Sequence, residues 1–242
     1  MAVKRNLEGS AMKIGVAFSG SGVGAPWSHI FVEELRSCAV PFQMLSATSL
    51  AAVPVLLWSK GSSGEEIQQW MQKILRDPAL GCKQLVQSEL IQKPCECPVA
   101  MSSVDILSGI SVLYADGLQA NAWNLKVHAL TGNEDCAVTS AVSPYGGMEP
   151  PIVDKMKLCD FSLRYGCPFF PLKMAGIERI LSVSFPGGDM PVQAAGDNMS
   201  ALTGRNADLH LSIKPDSPEC AESFIRSFIQ KHIGSIYQKL LF

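Results

Sequence analysis

Short apolar runs of strand length alternate along this chain with segments of helical character. The strand-length runs cover residues 13–18, 42–47, 99–106, 110–115, 180–185 and 209–213. Residues 27–38 and 50–60 suit helices, and apolar side chains recur at helical spacing in a segment that begins at Gly64. Strands interleaved with helices favour βαβ units, with helices on both faces of the sheet. The sequence therefore predicts an α/β fold: a three-layer sandwich with a mostly parallel central sheet.

Two stretches, residues 80–97 and 115–151, are less periodic and richer in Pro, Gly and Asn. Long connections of this kind often form lids or walls of a site in a compact α/β domain. Neither stretch divides the chain, so we predict one domain over residues 12–242, preceded by an N-terminal extension over residues 1–11.

The charge balance argues against a nucleic-acid partner. Twenty Lys and Arg residues stand against 22 Asp and Glu residues, a net charge of -2, and aromatic residues make up only 7% of the chain. Nucleic-acid binding normally needs a basic excess on one face, and single-strand binding needs stacking platforms. We therefore expect no nucleic-acid partner.

The cysteines and the N-terminal residues predict a cytoplasmic location. Lys4 and Arg5 are not followed by an apolar stretch of signal-peptide length. A chain this long needs no disulfides for stability, so the eight cysteines are expected to be free thiols in a reducing compartment. Cys95 and Cys97 are close in sequence, but without a second pair or a nearby His they are a weak zinc signal. We expect no metal site.

The last 20 residues carry a regular apolar stripe. Phe and Ile residues recur every three to four positions from Phe224 onward, accompanied by Arg226 and Lys231. Such a stripe usually belongs to a helix docked on the core. Peripheral membrane contact is the alternative, because basic residues accompany the bulky apolar ones.

Ser49 stands at the predicted junction of an apolar strand and an apolar helix, within Ala47-Thr48-Ser49-Leu50-Ala51. A tight strand-to-helix turn places a serine hydroxyl at the helix N-terminus, where amides and the helix dipole favour the negative charge of acyl transfer. Small residues are needed two positions before and after the serine, and Ala47 and Ala51 meet that need. An ordinary N-cap serine is the alternative interpretation.

A glycine-rich turn, Ser19-Gly20-Ser21-Gly22-Val23-Gly24, follows the first predicted strand. Successive amides at Gly20, Ser21 and Gly22 can point at one anion, either a phosphate or an oxyanion. The turn lacks the Gly-Lys-Ser/Thr ending of a P-loop. No acidic residue ends a second strand about twenty positions on, which leaves dinucleotide binding a weak alternative.

In this order, these segments resemble the patatin-like phospholipase family. Its members carry a glycine-rich S-G-G-G-x-[RK]-G loop after a strand, a helix with H-I-G-V-L, and then G-T-S-A-G after a second strand. Residues 18–22, 28–32 and 47–51 occupy those three places in order. Three later segments also resemble family motifs. Residues 104–106 resemble a T-D-L turn, residues 137–151 resemble an A-S-S-A-I-P segment, and residues 157–162 resemble the strand that carries the D-G-[GA] motif. The resemblance covers residues 13–190.

The resemblance implies a Ser-Asp dyad in a lipid acyl hydrolase. Ser49 would attack an ester carbonyl, Asp160 would orient Ser49 and accept its proton without a histidine, and the amides of Gly20, Ser21 and Gly22 would hold the oxyanion. The substrate would be a lipid or another acyl ester, with no cofactor and no metal. The dyad residues are 160 − 49 = 111 positions apart, so two strand ends must meet, as they do at the carboxyl edge of a doubly wound sheet.

The chain departs from the family pattern at each motif. Ala47, Ala51 and Ser21 replace glycines, and no Lys or Arg follows the loop. Phe161-Ser162 replaces Gly-Gly or Gly-Ala, which removes the flexibility that lets the aspartate approach. Pro54 is expected near the fourth or fifth position of the following helix, where it costs a hydrogen bond.

Other titratable residues compete with Asp160. Asp160 could be an ordinary turn residue, and four more aspartates are available: Asp105, Asp116, Asp154 and Asp197. The motif order favours Asp160. Of the four histidines (His29, His128, His210 and His232) none has a triad context, and His29 is expected to be a packed residue.

Three functions follow, in order of preference. The first is a serine acyl-ester hydrolase of the patatin-like phospholipase type. The alternative is a patatin-like scaffold with little or no catalysis that binds lipid or a protein partner. Acyl transfer ranks third, since it usually needs a histidine partner and an arginine for a carboxylate, neither of which is evident.

Overall fold

A computed structural model describes residues 12–120, 122–143, 149–187 and 191–242. The predicted extension over residues 1–11 lies outside the described residues. The strands are β1 (Ile14–Gly20), β2 (Phe42–Ala47), β3 (Val99–Asp105), β4 (Ser111–Tyr114), β5 (Leu125–His128), β6 (Ile152–Val153), β7 (Met156–Asp160), β8 (Arg179–Phe185) and β9 (Leu209–Ser212). The helices are α1 (Ser28–Ser37), α2 (Ala52–Ser59), α3 (Gly64–Arg76), α4 (Pro78–Val86), α5 (Glu134–Val142), α6 (Ser162–Tyr165), α7 (Phe170–Met174), α8 (Pro191–Gly204) and α9 (Pro218–Leu240).

The centre of the sheet is parallel. Its main path runs β5-β4-β3-β2-β1-β8-β9, and each successive pair from β3 to β9 along this path is parallel. Parallel neighbours need crossover connections, which helices supply here between β1 and β2 and between β8 and β9. Strands β4 and β7 run antiparallel to β3. The predicted mostly parallel α/β sheet is confirmed.

Alternation along β1 shows why helices cover both faces. Val16 and Phe18 point into one buried cluster, which α1, α2, α3 and α9 complete, whereas Ala17 points into a second cluster on the opposite face. Successive residues of a strand face opposite sides of a sheet, so a strand such as β1, whose residues are all buried, needs a layer on each side. The three-layer architecture is confirmed.

The two stretches that were predicted to be irregular contain regular elements. Asp77 caps α4 by accepting a hydrogen bond from the Leu80 amide at 3.1 Å, and Gly81 lets α4 approach the Ile74 backbone of α3 more closely than a Cβ would allow. Strand β5 and helix α5 lie in the second stretch. These elements were missed because they are short and depend on packing against neighbours rather than on a strong periodic pattern.

The C-terminal helix α9 docks on the core, as predicted. Ala221, Ile225, Ile229, Ile236 and Leu240 are buried along one side of it. Arg226 is paired with Glu34 and lies 3.6 Å from Glu33 and 2.8 Å from Glu222. Most of the apolar stripe therefore packs on the protein itself, although Phe224 is exposed. Arg226, one of the two basic residues expected to favour a membrane surface, is neutralised by carboxylates.

All eight cysteines lie in the described part of the chain and are free. No helix within that part combines the length and the apolar character that crossing a bilayer requires.

Candidate active site

Ser49 occupies a strained turn between β2 and α2. Its φ angle is 62°, in the left-handed region that a residue with a Cβ seldom adopts. The Thr48 amide donates to the Phe18 carbonyl at 3.0 Å, and the Ala51 amide donates to the Gly20 carbonyl at 3.2 Å. Both bonds fix the turn against β1, and this strain at a polar residue resembles that of nucleophile-bearing turns.

Pro54 does not cost a hydrogen bond, contrary to expectation. Helix α2 begins at Ala52, so Pro54 lies in its first turn, where the amide would have no partner within the helix.

Strand β3 explains how Asp160 reaches Ser49 across 111 positions. Ala47, at the end of β2, lies opposite Met101 of β3. Asp160, at the end of β7, lies opposite Ser103 of the same strand. The two strand ends therefore approach each other along β3 with an offset of two residues, or about 7 Å. Thr48 and Ser49 extend into that gap.

The side chains meet in a buried hydrogen-bond network. The Ser49 hydroxyl lies 2.6 Å from Asp160 Oδ2. The Thr48 hydroxyl lies 2.9 Å from Asp160 Oδ1 and 2.9 Å from the Ser102 carbonyl oxygen. A hydroxyl bonded to a carboxylate at this distance makes a strong, charge-assisted hydrogen bond. The structure thus brings Ser49 and Asp160 together.

Ser162 is a member of this network that sequence reasoning missed. Its amide donates to Asp160 Oδ1 at 2.9 Å, and its hydroxyl lies 2.8 Å from both Asp160 Oδ2 and Ser49 Oγ. The Asp-x-Ser spacing was the available signal, because an aspartate often accepts a bond from the amide two residues on. The expectation that Phe161-Ser162 would hinder the aspartate is wrong, because Ser162 holds the carboxylate in place.

The network is fully enclosed. Ser49 and Asp160 have 0% exposure and Ser162 has 1%. Burial raises the pKa of the Asp160 carboxyl above its ordinary value, while hydrogen bonds from Ser49, Ser162 and Thr48 partly oppose that shift. A carboxylate with a raised pKa is a better proton acceptor than an exposed aspartate.

The glycine-rich turn packs against the segment that follows β8. Gly20 has a φ of 106°, and a Cβ there would collide with the Phe185 carbonyl. A Cβ on Gly22 would collide with the Pro186 carbonyl. The Gly22 amide donates to the Phe185 carbonyl at 3.0 Å, so in this arrangement it is not directed at an oxyanion. Close packing therefore accounts for both glycines independently of any anion.

Ser21 differs from Gly22. Among the described residues, its amide donates to no main-chain carbonyl. Ser21 and Gly22 line a cavity of about 410 Å³, together with Leu50, the residue after Ser49. Its remaining described walls are mainly apolar and come from α3, the 23–27 turn and Pro218. The turn and the start of α2 thus share one cavity.

The competing aspartates serve other contacts. Asp105 accepts from the Ser108 and Lys157 amides, both at 2.9 Å, and Asp116 accepts from the Thr131 hydroxyl at 2.8 Å. Asp154 lies 3.8 Å from His128, and Asp197 accepts from the Gly187 amide at 2.7 Å. None of these contacts involves Ser49.

His29 is buried beside Trp27, whose ring stacks on it at 6.4 Å between centroids. Burial lowers the pKa of His29 to about 4, and the charge of Arg226 contributes. It is a packed neutral residue, as expected. Within the described ranges no three His, Cys, Asp or Glu side chains are grouped as metal ligands. Burial raises the pKa of Cys97 to about 11.

The chain was compared with protein families, with curated proteins and with solved structures. No protein-family model and no curated protein matches the chain. A solved structure of the heterodimeric ExoU–SpcU complex, from the type III secretion system of Pseudomonas aeruginosa, is similar at 11% identity and a TM-score of 0.44. The match covers 96% of this chain and 52% of that one, so this chain spans about half of its length. At this TM-score the likeness supports no inference about activity.

Proposed function

We propose that the protein is a serine acyl-ester hydrolase of the patatin-like phospholipase type, acting on a lipid or another acyl ester in the cytoplasm. The observation that carries the proposal is the 2.6 Å separation of Ser49 Oγ and Asp160 Oδ2 at a strained turn. A nucleophile within hydrogen-bond reach of a buried base is the minimum that acyl transfer to serine requires.

In the proposed reaction Asp160 accepts the Ser49 proton as Ser49 Oγ attacks the ester carbonyl. Asp160 then gives that proton to the leaving alcohol. Asp160 then deprotonates a water molecule that attacks the acyl-serine, and it returns this proton to Ser49 Oγ as the carboxylic acid leaves. Ser162 and Thr48 keep the carboxylate oriented throughout. The Ser21 amide and the N-terminus of α2 stabilise the oxyanion, whereas Gly22 contributes only if its bond to Phe185 opens.

Substrate access is the main physical demand on this proposal. Ser49 is enclosed, so its cover must move before a carbonyl can approach. The 410 Å³ cavity between the glycine-rich turn and Leu50, the residue after Ser49, is a candidate space for the acyl group.

The direct test is turnover of short p-nitrophenyl esters by purified protein. We expect hydrolysis by the wild type and a loss of at least 10³-fold in Ser49→Ala and in Asp160→Asn. Ser103→Ala is the matched control, because Ser103 is a buried serine of neighbouring β3 that bonds Ser140. Loss of activity in the control equal to that in Ser49→Ala would contradict the assignment.

The enclosure of Ser49 and the occupied Gly22 amide favour one second candidate, a non-catalytic patatin-like scaffold that binds lipid or a protein partner. A folded wild type that hydrolyses no ester at any chain length, yet binds lipid, would support the scaffold over the enzyme.

A further inference from the structure

A second cavity, of about 460 Å³, lies on the face of the sheet that carries α7. Its largest described walls are Leu125, Phe161, Phe169, Phe170 and Met174. Neither Ser49 nor Asp160 lines it. Cavities of this volume are in the range of small-molecule sites, which are typically apolar with a few polar groups.

The walls of this cavity suit a hydrocarbon chain. Phe161 and Phe170 stack with ring centroids 5.4 Å apart and an interplanar angle of 30°. Phe169, Phe170 and Met174 are only half-buried although they pack against the apolar cluster on this face. An apolar cavity binds water poorly, and its walls gain contacts when an apolar group fills it.

The rim of the cavity carries a single kind of charge. Lys173 is the one charged side chain among the described lining residues, and it is exposed. The charge of Lys173 contributes to the lowered pKa of Asp208. Asp208 is already engaged by Arg179 at 2.8 Å and by the Ile180 amide at 2.8 Å. Lys173 therefore offers its ammonium group to an anion at the mouth.

We propose that this cavity binds a fatty carboxylate, with the chain lying against the stacked rings of Phe161 and Phe170 and the carboxylate at Lys173. The inference goes beyond the proposed hydrolase, because it requires neither the Ser49 nucleophile nor the Asp160 base. Phe161 directly follows Asp160 in the chain. A ligand in this cavity would therefore contact the residue next to the proposed catalytic carboxylate of Asp160.

Isothermal titration of the full chain with dodecanoate, below its micelle concentration, tests the proposal. We expect one site, an affinity that increases about fourfold for each methylene added from octanoate until the cavity is full, and at least tenfold weaker binding of dodecyltrimethylammonium. Ser49→Ala should bind dodecanoate as the wild type does, which separates this site from the hydrolase.

Two kinds of variant locate the ligand. Lys173→Glu should weaken dodecanoate at least tenfold, whereas Lys83→Glu makes the same charge change on α4, outside this cavity, and should not. Met174→Trp fills the cavity, and Ala122→Trp blocks its exposed rim with little risk to folding; both should abolish binding. Absence of binding, binding that survives both tryptophans, or equal binding of the cationic amphiphile would overturn the proposal.

Discussion

At the scale of single residues, the site is defined by how one carboxylate is held. Asp160 accepts bonds from three hydroxyls and an amide within 2.9 Å. A buried polar network of this kind holds its members in one arrangement when every group is satisfied. The contribution of Ser162 can be separated from the proposed chemistry. Ser162 bonds Ser49 and Asp160, but it is neither the nucleophile nor the base.

Ser162→Ala removes one donor to Asp160 and leaves its amide in place. We expect ester turnover to fall about 10-fold to 100-fold, with the enzyme still active, because the carboxylate is less well oriented. Ser162→Thr keeps a hydroxyl and should retain more activity than Ser162→Ala. The comparison of kcat for the two variants checks this. Loss of activity as complete as in Ser49→Ala would instead make Ser162 part of the reacting set.

Asp160→Asn tests the electrostatics of burial. Because the pKa of Asp160 is raised in the folded protein, folding binds a proton in the window between its unfolded and folded pKa values. The wild type therefore loses stability as pH rises through that window. The asparagine side chain of the variant carries no charge to desolvate, so the variant should unfold at pH 7 at the same temperature as the wild type or higher. Thermal and urea unfolding at several pH values measure this, and a variant several kcal/mol less stable at pH 7 would contradict it.

At the scale of elements, the turn after β1 is shaped by its packing on the end of β8. The Gly22 amide donates to the Phe185 carbonyl. A side chain at Gly22 would collide with the Pro186 carbonyl. This contact connects two neighbouring strands at the edge where Ser49 lies. The geometry of the glycine-rich turn therefore depends on β1, on the end of β8 and on the turn that carries Ser49.

Gly22→Ala should displace this turn. We expect a loss of about 2 kcal/mol or more in unfolding free energy, because the new methyl group would collide with backbone rather than with a flexible side chain. Gly234→Ala is the control: a Cβ there meets nothing within 4 Å, and in helix α9 it should stabilise by up to about 1 kcal/mol. Equal stabilities of the two variants would show that the turn is not tightly packed.

Several elements could be predicted from sequence alone, and the site could be predicted in part. Strands β1, β2 and β8 are mostly apolar runs of strand length. Helix α3 has strong periodicity and a capping box at Ser63. Helix α4 has the Asp77-Pro78 start signal but weak periodicity, and α5 lacks a strong periodic pattern. Asp160 was selected by motif order alone. The role of Ser162 and the occupied Gly22 amide depend on how β3, β7 and β8 meet, which no local pattern encodes.

At the scale of the whole molecule, helices α1 and α9 pack together in one layer. The stability of this layer depends on His29 staying neutral and on Arg226 staying paired with carboxylates. His29 is buried in α1, and Arg226 of α9 bonds carboxylates of the same layer. Acid should weaken this layer first, because protonation of His29 would place a charge near Arg226.

The His29 effect has a definite sign. Since its pKa is lowered from 6.5 to about 4, the unfolded chain binds a proton that the folded chain does not. Stability contributed by neutral His29 is present above pH 6.5 and is lost as pH falls towards 4, by about 3 kcal/mol in total. Denaturant unfolding between pH 7 and pH 4 measures it. His29→Leu should remove this part of the dependence, and an unchanged pH profile in that variant would contradict the assignment.

The most direct measurement of the central claim is covalent capture of the nucleophile. A fluorophosphonate reacts with an activated serine, and peptide mapping by mass spectrometry locates the adduct. The account predicts one adduct per chain, on Ser49, that forms at least 100-fold more slowly in Asp160→Asn and is absent in Ser49→Ala. Labelling of a different serine, or labelling of Ser49 at the same rate in Asp160→Asn, would contradict it.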